Sequence, residues 1–319
     1  MISFKNDYST LCHPDILNLL LKYNDEHNNG YGLDNHCLKA ANFIKKHVID
    51  NVDIHFLVGG TSANKTVISH ILKPYQAVIA AESGHINVHE TGAIEASGHK
   101  VLTAKGNNGK LTCEEIESIY RKHIDEHMVQ PKLVYISNST EIGTIYTKAE
   151  LTNISNLCRK LDLYLFLDGA RLGVALTTKS NDLTLKDISL LTDAFYIGGT
   201  KNGALIGEAV IITNEALKPN YRYSIKQNGG MLAKGFLIGI QFEALFENDL
   251  FFKLGEKANL ASEYLVKGLN KLKVELISNS PTNQQFIKIK KNVAIKLAEK
   301  YAFEIWEQDI DTTTIRLVT

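Results

Sequence analysis

Leu163-Tyr164-Leu165-Phe166-Leu167-Asp168-Gly169-Ala170-Arg171 is the stretch on which the fold turns. Five apolar residues in succession leave no polar face for solvent, as in a strand buried on both sides within a parallel sheet. The run stops at a carboxylate, two small residues and a guanidinium. Open α/β sheets bind ligands outside the carboxyl ends of their strands, so Asp168 and Arg171 stand where a ligand would be held. The plainer reading pairs the two charges with each other to close a turn.

Further apolar runs lie near 54–58, 77–81, 133–137, 194–197 and 208–212, with helical stretches between most of them. This alternation predicts a mainly parallel sheet with helices on both faces. Pro14–Tyr23 has the spacing of an amphipathic helix, and Met231–Phe252 reads as one long helical segment. From about 255 the pattern becomes helix, strand, helix, strand, which predicts a small C-terminal α+β domain over 251–319 after a large domain over 1–250. A chain of 319 residues is long enough for both cores.

Phe195-Tyr196-Ile197-Gly198-Gly199-Thr200-Lys201-Asn202-Gly203-Ala204 places a lysine just beyond another strand, in a turn of small and hydroxylated residues. A lysine amine is nucleophilic only without its proton, and burial near other cations favours that form. Lys201 therefore reads as the covalent anchor of pyridoxal 5'-phosphate, against the alternative of a solvated surface lysine. Asp168 suits the same cofactor, because a carboxylate on the pyridine nitrogen keeps it protonated and makes the ring an electron sink. A phosphate needs backbone N–H groups at a helix start. Val58-Gly59-Gly60-Thr61-Ser62-Ala63-Asn64 offers them after a strand, with Gly60 and Thr61 as phosphate positions and Thr61 or Ser62 as helix cap.

Charge is balanced, with 35 basic and 35 acidic residues, which argues against general affinity for nucleic acid or anionic membrane. Cys12, Cys37, Cys113 and Cys158 lack metal-ligand spacing and form no disulfide framework, so no metal is expected. The first residues lack a signal-peptide pattern and no apolar run is long enough to cross a bilayer, so the default expectation is a cytoplasmic protein.

The D-G-A-R after an apolar strand, followed by Thr200-Lys201 after a later one, resembles the threonine aldolases of the β-eliminating lyase group. The likeness extends from Asn6-Asp7-Tyr8-Ser9-Thr10 through Tyr31-Gly32 to Ile315-Arg316-Leu317-Val318-Thr319. The resemblance implies a fold-type-I enzyme with a mainly parallel seven-stranded sheet and a small C-terminal domain. It also implies cleavage of β-hydroxy-α-amino acids such as L-threonine or L-allo-threonine to glycine and an aldehyde. By position in that pattern, His85 stacks on the pyridine ring and serves in proton transfer, Glu90 either positions a neighbour or is an internal salt-bridge partner, and Thr200 joins Gly60 and Thr61 on the phosphate. Arg171 and Arg316 hold the substrate carboxylate, with Ser9 as a third contact; a guanidinium fork suits a planar carboxylate. Tyr31 would cross into a neighbouring subunit, which implies a homo-oligomer, a dimer or a tetramer.

Two positions depart from the family. Where many members carry a second histidine, Ser137-Asn138-Ser139-Thr140-Glu141-Ile142-Gly143 places Glu141, a carboxylate that can serve as a base or bind a polar substrate tail differently. An arginine that would reach a neighbour's phosphate is replaced by Leu232, with Lys234 or Arg222 as substitutes. Relatives also continue beyond the strand that closes this chain at Thr319. The departure at Glu141 keeps open another lyase or an aminotransferase acting on a small amino acid, and beyond that a non-catalytic binding protein on the same fold.

Overall fold

The computed structural model describes all 319 residues, Met1–Thr319. Seven strands build the large sheet: β1 (Asp53–Leu57), β2 (Gln76–Ala81), β3 (Lys100–Ala104), β4 (Gln130–Ser137), β5 (Tyr164–Asp168), β6 (Ala194–Gly198) and β7 (Glu208–Ile212). Their order is β1-β7-β6-β5-β4-β2-β3. Only β7 runs against its neighbours, β1 and β6; the remaining pairs are parallel. The six strands expected from apolar runs are all present. The seventh, β3, is an edge strand whose Lys100 and Thr103 are exposed, so it shows no continuous apolar run.

Alternation along each strand divides the core in two. Ile79, Val134, Ile136, Leu165, Leu167, Phe195 and Ile197 belong to one cluster. Val78, Leu133, Tyr135, Phe166, Ala194 and Tyr196 belong to the other, under the helix Gly60–Ile71. Asp168 follows the parity of Phe166, and its carboxylate meets that same helix at Asn64.

The segment read as one helix over 231–252 is two. Met231–Gly235 is not helical, one helix spans Phe236–Glu247, and another spans Leu250–Lys271. The break falls at Asp249, whose φ of 57° is left-handed and cannot continue an α-helix. Gly235, the N-cap of the first, packs on the Gly32 backbone, where an added Cβ would lie 2.7 Å from the Gly32 nitrogen.

Beyond these helices lies an antiparallel sheet of β8 (Glu275–Leu276), β9 (Gln284–Lys290), β10 (Glu304–Gln308) and β11 (Thr312–Val318), in the order β10-β11-β9-β8. The amino terminus joins this layer. Ile2–Ser3 pairs in parallel with Tyr301–Ala302, and the Val318 N–H donates to the Phe4 carbonyl at 2.8 Å. The anchoring carries Asp7 and Tyr8 over the carboxyl edge of the large sheet.

Candidate active site

Asp168 closes β5 with its carboxylate buried and saturated. Oδ2 accepts from the Tyr135 hydroxyl at 2.6 Å and from Asn64 Nδ2 at 3.0 Å. Oδ1 accepts from the Tyr196 hydroxyl and from the Ala170 N–H at 3.0 Å. Burial is the largest influence on this carboxyl and pushes its pKa up, but the charge of His85 and the bonds from Tyr135, Tyr196 and Asn64 together hold it below the usual aspartate value. The turn-closing pair with Arg171 is not formed. Arg171 instead grips Asp7, with Nε donating to Oδ2 at 2.7 Å and an Nη2 donating to Oδ1 at 3.0 Å.

Lys201 lies in the turn after β6, where its Nζ is largely enclosed, 5.9 Å from the centre of the Tyr8 ring. Burial first, then the charge of Arg171, lower the pKa of its ammonium, against the opposing pull of Asp7, Asp168 and Glu208. Glu208, at the start of β7, accepts from the Gly199 N–H at 3.0 Å. Burial drives its carboxyl up to about 8 despite the Thr200 hydroxyl and the charge of Lys201. Thr200 Oγ1 accepts from the Gly207 N–H at 3.0 Å.

The helix Gly60–Ile71 starts beside this lysine, with Gly59 rather than Thr61 or Ser62 as N-cap and no side-chain cap bond. Its first N–H groups are left for a ligand. Gly60 lies close under Tyr196, where an added Cβ would stand 3.1 Å from its hydroxyl.

His85 begins a single helical turn, His85–Val88, after β2, and His89 caps its end rather than continuing it. Its Nδ1 lies 2.9 Å from Glu90 Oε1, which also accepts from Asn64 Nδ2 at 2.7 Å. A carboxylate on Nδ1 fixes the proton there and leaves Nε2 for the cavity. Glu141 faces the same space. Its Oε1 accepts from Ser137 Oγ at 2.7 Å and the His85 N–H at 2.9 Å, while Oε2 takes no bond. Burial raises this carboxyl above the usual glutamate value, although the Ser137 bond opposes it.

Two adjoining chambers result. One of about 340 Å³ is lined by Gly60, Thr61, Asp168, Tyr196, Thr200 and Glu208 among others. The second, of about 230 Å³, includes His89, Glu304, Trp306 and Arg316. Tyr8, His85, Glu141, Arg171 and Lys201 line both. Arg316 stands on the central strand β11 of the small sheet, paired with Glu304 on β10 and Phe286 on β9.

Two expected residues lie elsewhere. Ser9 is exposed and donates to Asn6 Oδ1 at 2.6 Å, outside both chambers, while its neighbour Tyr8 lines them. Tyr31 is exposed in a separate groove with Arg222 and Leu232, and its carbonyl accepts from Arg222 at 3.1 Å. Asp7, Asn64, Tyr135, Tyr196, Glu208, Glu304 and Trp306 also belong to the site, though none stands out as a site residue in the sequence pattern. Glu208 had a usable signal, a glutamate opening an otherwise apolar strand.

The donor set fits pyridoxal phosphate. A buried carboxylate, an amine with no hydrogen-bond partner and an uncapped helix start open on one chamber of suitable size. Tyr196 is the chamber-lining donor with which a ring N–H would share Asp168.

The beta-eliminating lyase family model matches residues 9–292. The low specificity L-threonine aldolase of Pseudomonas sp. (strain NCIMB 10558) is 33% identical over 265 residues, covering 82% of this chain and 75% of the relative. That of Pseudomonas aeruginosa is 30% identical over 264 residues, covering 82% and 76%. Among solved structures, the threonine aldolase of Leishmania major superposes with a TM-score of 0.99 at 49% identity, over 100% of this chain and 94% of that one. An aspartate aminotransferase of Thermus thermophilus shares the fold, with a TM-score of 0.74 at 14% identity over 100% and 87%. With Asp168, Lys201 and the Gly60 helix start gathered in one chamber, the chain belongs to the beta-eliminating lyase family, among its threonine aldolases, as a fold-type-I enzyme dependent on pyridoxal 5'-phosphate.

Proposed function

We propose that this enzyme cleaves the Cα–Cβ bond of β-hydroxy-α-amino acids, taking L-threonine or L-allo-threonine to glycine and acetaldehyde. The observation that carries the reading is a pair of residues able to accept a proton placed in the same chambers as the anchor lysine: His85 and Glu141 line both with Lys201. When bound, pyridoxal phosphate supplies an electron sink for the pair released from the breaking bond. Lys201 would anchor it, Asp168 would hold its ring nitrogen charged, and Gly60, Thr61 and Thr200 would take its phosphate.

The chain's residues supply the rest. Arg316 binds the amino-acid carboxylate in the smaller chamber; Arg171, committed to Asp7, adds positive charge beside it. Glu141 Oε2 or His85 Nε2 removes the β-hydroxyl proton, the Cα–Cβ bond breaks, and the aldehyde leaves. The α-carbon then takes a proton to give glycine.

The working form we infer is a cytoplasmic homo-oligomer, dimer or tetramer, with sites shared between subunits. Support comes from the exposed Tyr31, with Lys226 Nζ 5.1 Å from its ring centre and the exposed Leu33 and Leu38 nearby. No helix is long and apolar enough to cross a membrane. The reading divides the chain near residue 250 into a cofactor domain and a small domain that closes the substrate chamber. Purified enzyme loaded with the cofactor and given L-threonine should release acetaldehyde and glycine in equal amounts. Ammonia or a keto acid without aldehyde would replace this reading with elimination or transamination.

A further inference from the structure

Both arginines that face the chambers already hold carboxylates of the protein, on unequal terms. Asp7 takes the fork of Arg171 with two bonds, is itself buried, and is fixed by a third bond from Asn283 Nδ2 at 3.1 Å. Arg316 donates through Nη2 to Glu304, whose side chain is 41% exposed. Its Nη1 reaches Gln284 Oε1 only at 3.4 Å, and its Nε is buried without a partner.

A carboxylate can be admitted only where the resident one can leave. Asp7 would have to leave a buried site and strand a buried guanidinium. Glu304 stands on β10, the edge strand of the small sheet, opposite Arg316, and can turn into water. Trp306 covers the guanidinium with its ring centre 5.3 Å from Cζ, so Arg316 keeps a platform when Glu304 departs. The ladder shifts register between Ile305 and Glu307, a bulge that sets Trp306 apart from the regular pairing.

We propose that Glu304 is a displaceable stand-in for the substrate: it occupies the carboxylate site on Arg316 in the resting enzyme and gives way to the amino acid's own carboxylate. Glu304 is thus a positioning residue that sets amino-acid affinity through competition. The inference rests on the functional reading above for the identity of the competing carboxylate.

The test compares holoenzyme of wild type, Glu304→Gln and Glu304→Asp. Glutamine keeps the shape and removes the charge; aspartate keeps the charge but is one methylene too short for the same contact. Removing a competitor held in a partly exposed ion pair should lower KM for L-threonine and the dissociation constant of glycine, read from cofactor absorbance, by about two- to fivefold. kcat should stay within about twofold. Unchanged or raised KM and glycine constants in both variants would overturn the proposal, since a residue that merely orients Arg316 weakens binding when removed. Should wild type release no aldehyde, the functional reading fails separately. Acetate titrated into the protein by NMR still reports on Glu304, with tighter binding in the variants expected and equal or weaker binding overturning it.

Discussion

Asp7 and Arg171, 164 positions apart in sequence, form a buried two-pronged ion pair that ties the amino-terminal segment to the turn after β5. Breaking a buried pair leaves an uncompensated charge, so Asp7→Ala should cost about 3–5 kcal/mol of stability. Asp7→Asn should cost less. Burial opposes ionisation of Asp7, but Arg171 outweighs it and the carboxyl lies below its ordinary value of 3.8. A lowered acid stabilises fully above that ordinary value and loses its contribution as pH falls through the lowered one. Denaturant midpoints of wild type and Asp7→Asn should therefore differ at pH 7 and converge below about pH 3.8. A constant gap would remove the ionic explanation.

Asn64 bridges two buried acids, giving one Nδ2 hydrogen to Asp168 and the other to Glu90. Asn64→Leu removes both bonds at similar volume and should cost at least about 1.5–3 kcal/mol, the range for a hydrogen bond to a charged group. It should also weaken cofactor binding, because Asn64 is one of the donors that hold the Asp168 carboxyl below the usual aspartate value. Urea midpoints and the cofactor's dissociation constant measure the two effects separately; a midpoint loss with cofactor affinity unchanged would confine Asn64 to a structural part.

How much of this was legible in the sequence follows from the range of each interaction. The strands of the large sheet announce themselves because burial on both faces demands unbroken apolar runs, and Asp168 and Lys201 stand out because they end two of those runs. β3 hides because half of it meets water. The helix boundary at Asp249 hides because a left-handed residue need not be glycine. Asp7, Asn64 and Glu304 are polar residues in unremarkable local settings, and only their partners, 164, 104 and 12 positions away, give them meaning.

Glu208 predicts a pH dependence of the opposite sense to Asp7. Burial raises its carboxyl to about 8, whereas the unfolded chain releases that proton near the ordinary glutamate value of 4.5. A raised folded value means the contribution is fully present below about pH 4.5 and is lost as pH climbs through about 8. Glu208→Gln carries no such titration and retains an acceptor for the Gly199 N–H. Thermal midpoints of the cofactor-free proteins should thus diverge in favour of the variant between pH 5 and pH 9. Parallel curves over that range would place the carboxyl's titration elsewhere.

Glu141 has its two oxygens divided between tasks. Oε1 is committed to Ser137 and to the His85 backbone, which keeps the stretch after β4 joined to the turn after β2; Oε2 takes no bond, and the residue lines both chambers with Lys201. Glu141→Gln preserves an acceptor for both bonds and removes the base, so folding and cofactor binding should persist while kcat falls about 10²–10⁴-fold, the usual weight of general-base catalysis. Because burial raises this carboxyl, wild-type kcat should rise with pH through a midpoint above the ordinary glutamate value of 4.5, and the glutamine variant should lack that limb. A variant within tenfold of wild type, with the limb intact, would assign the proton to His85 Nε2, whose tautomer Glu90 holds.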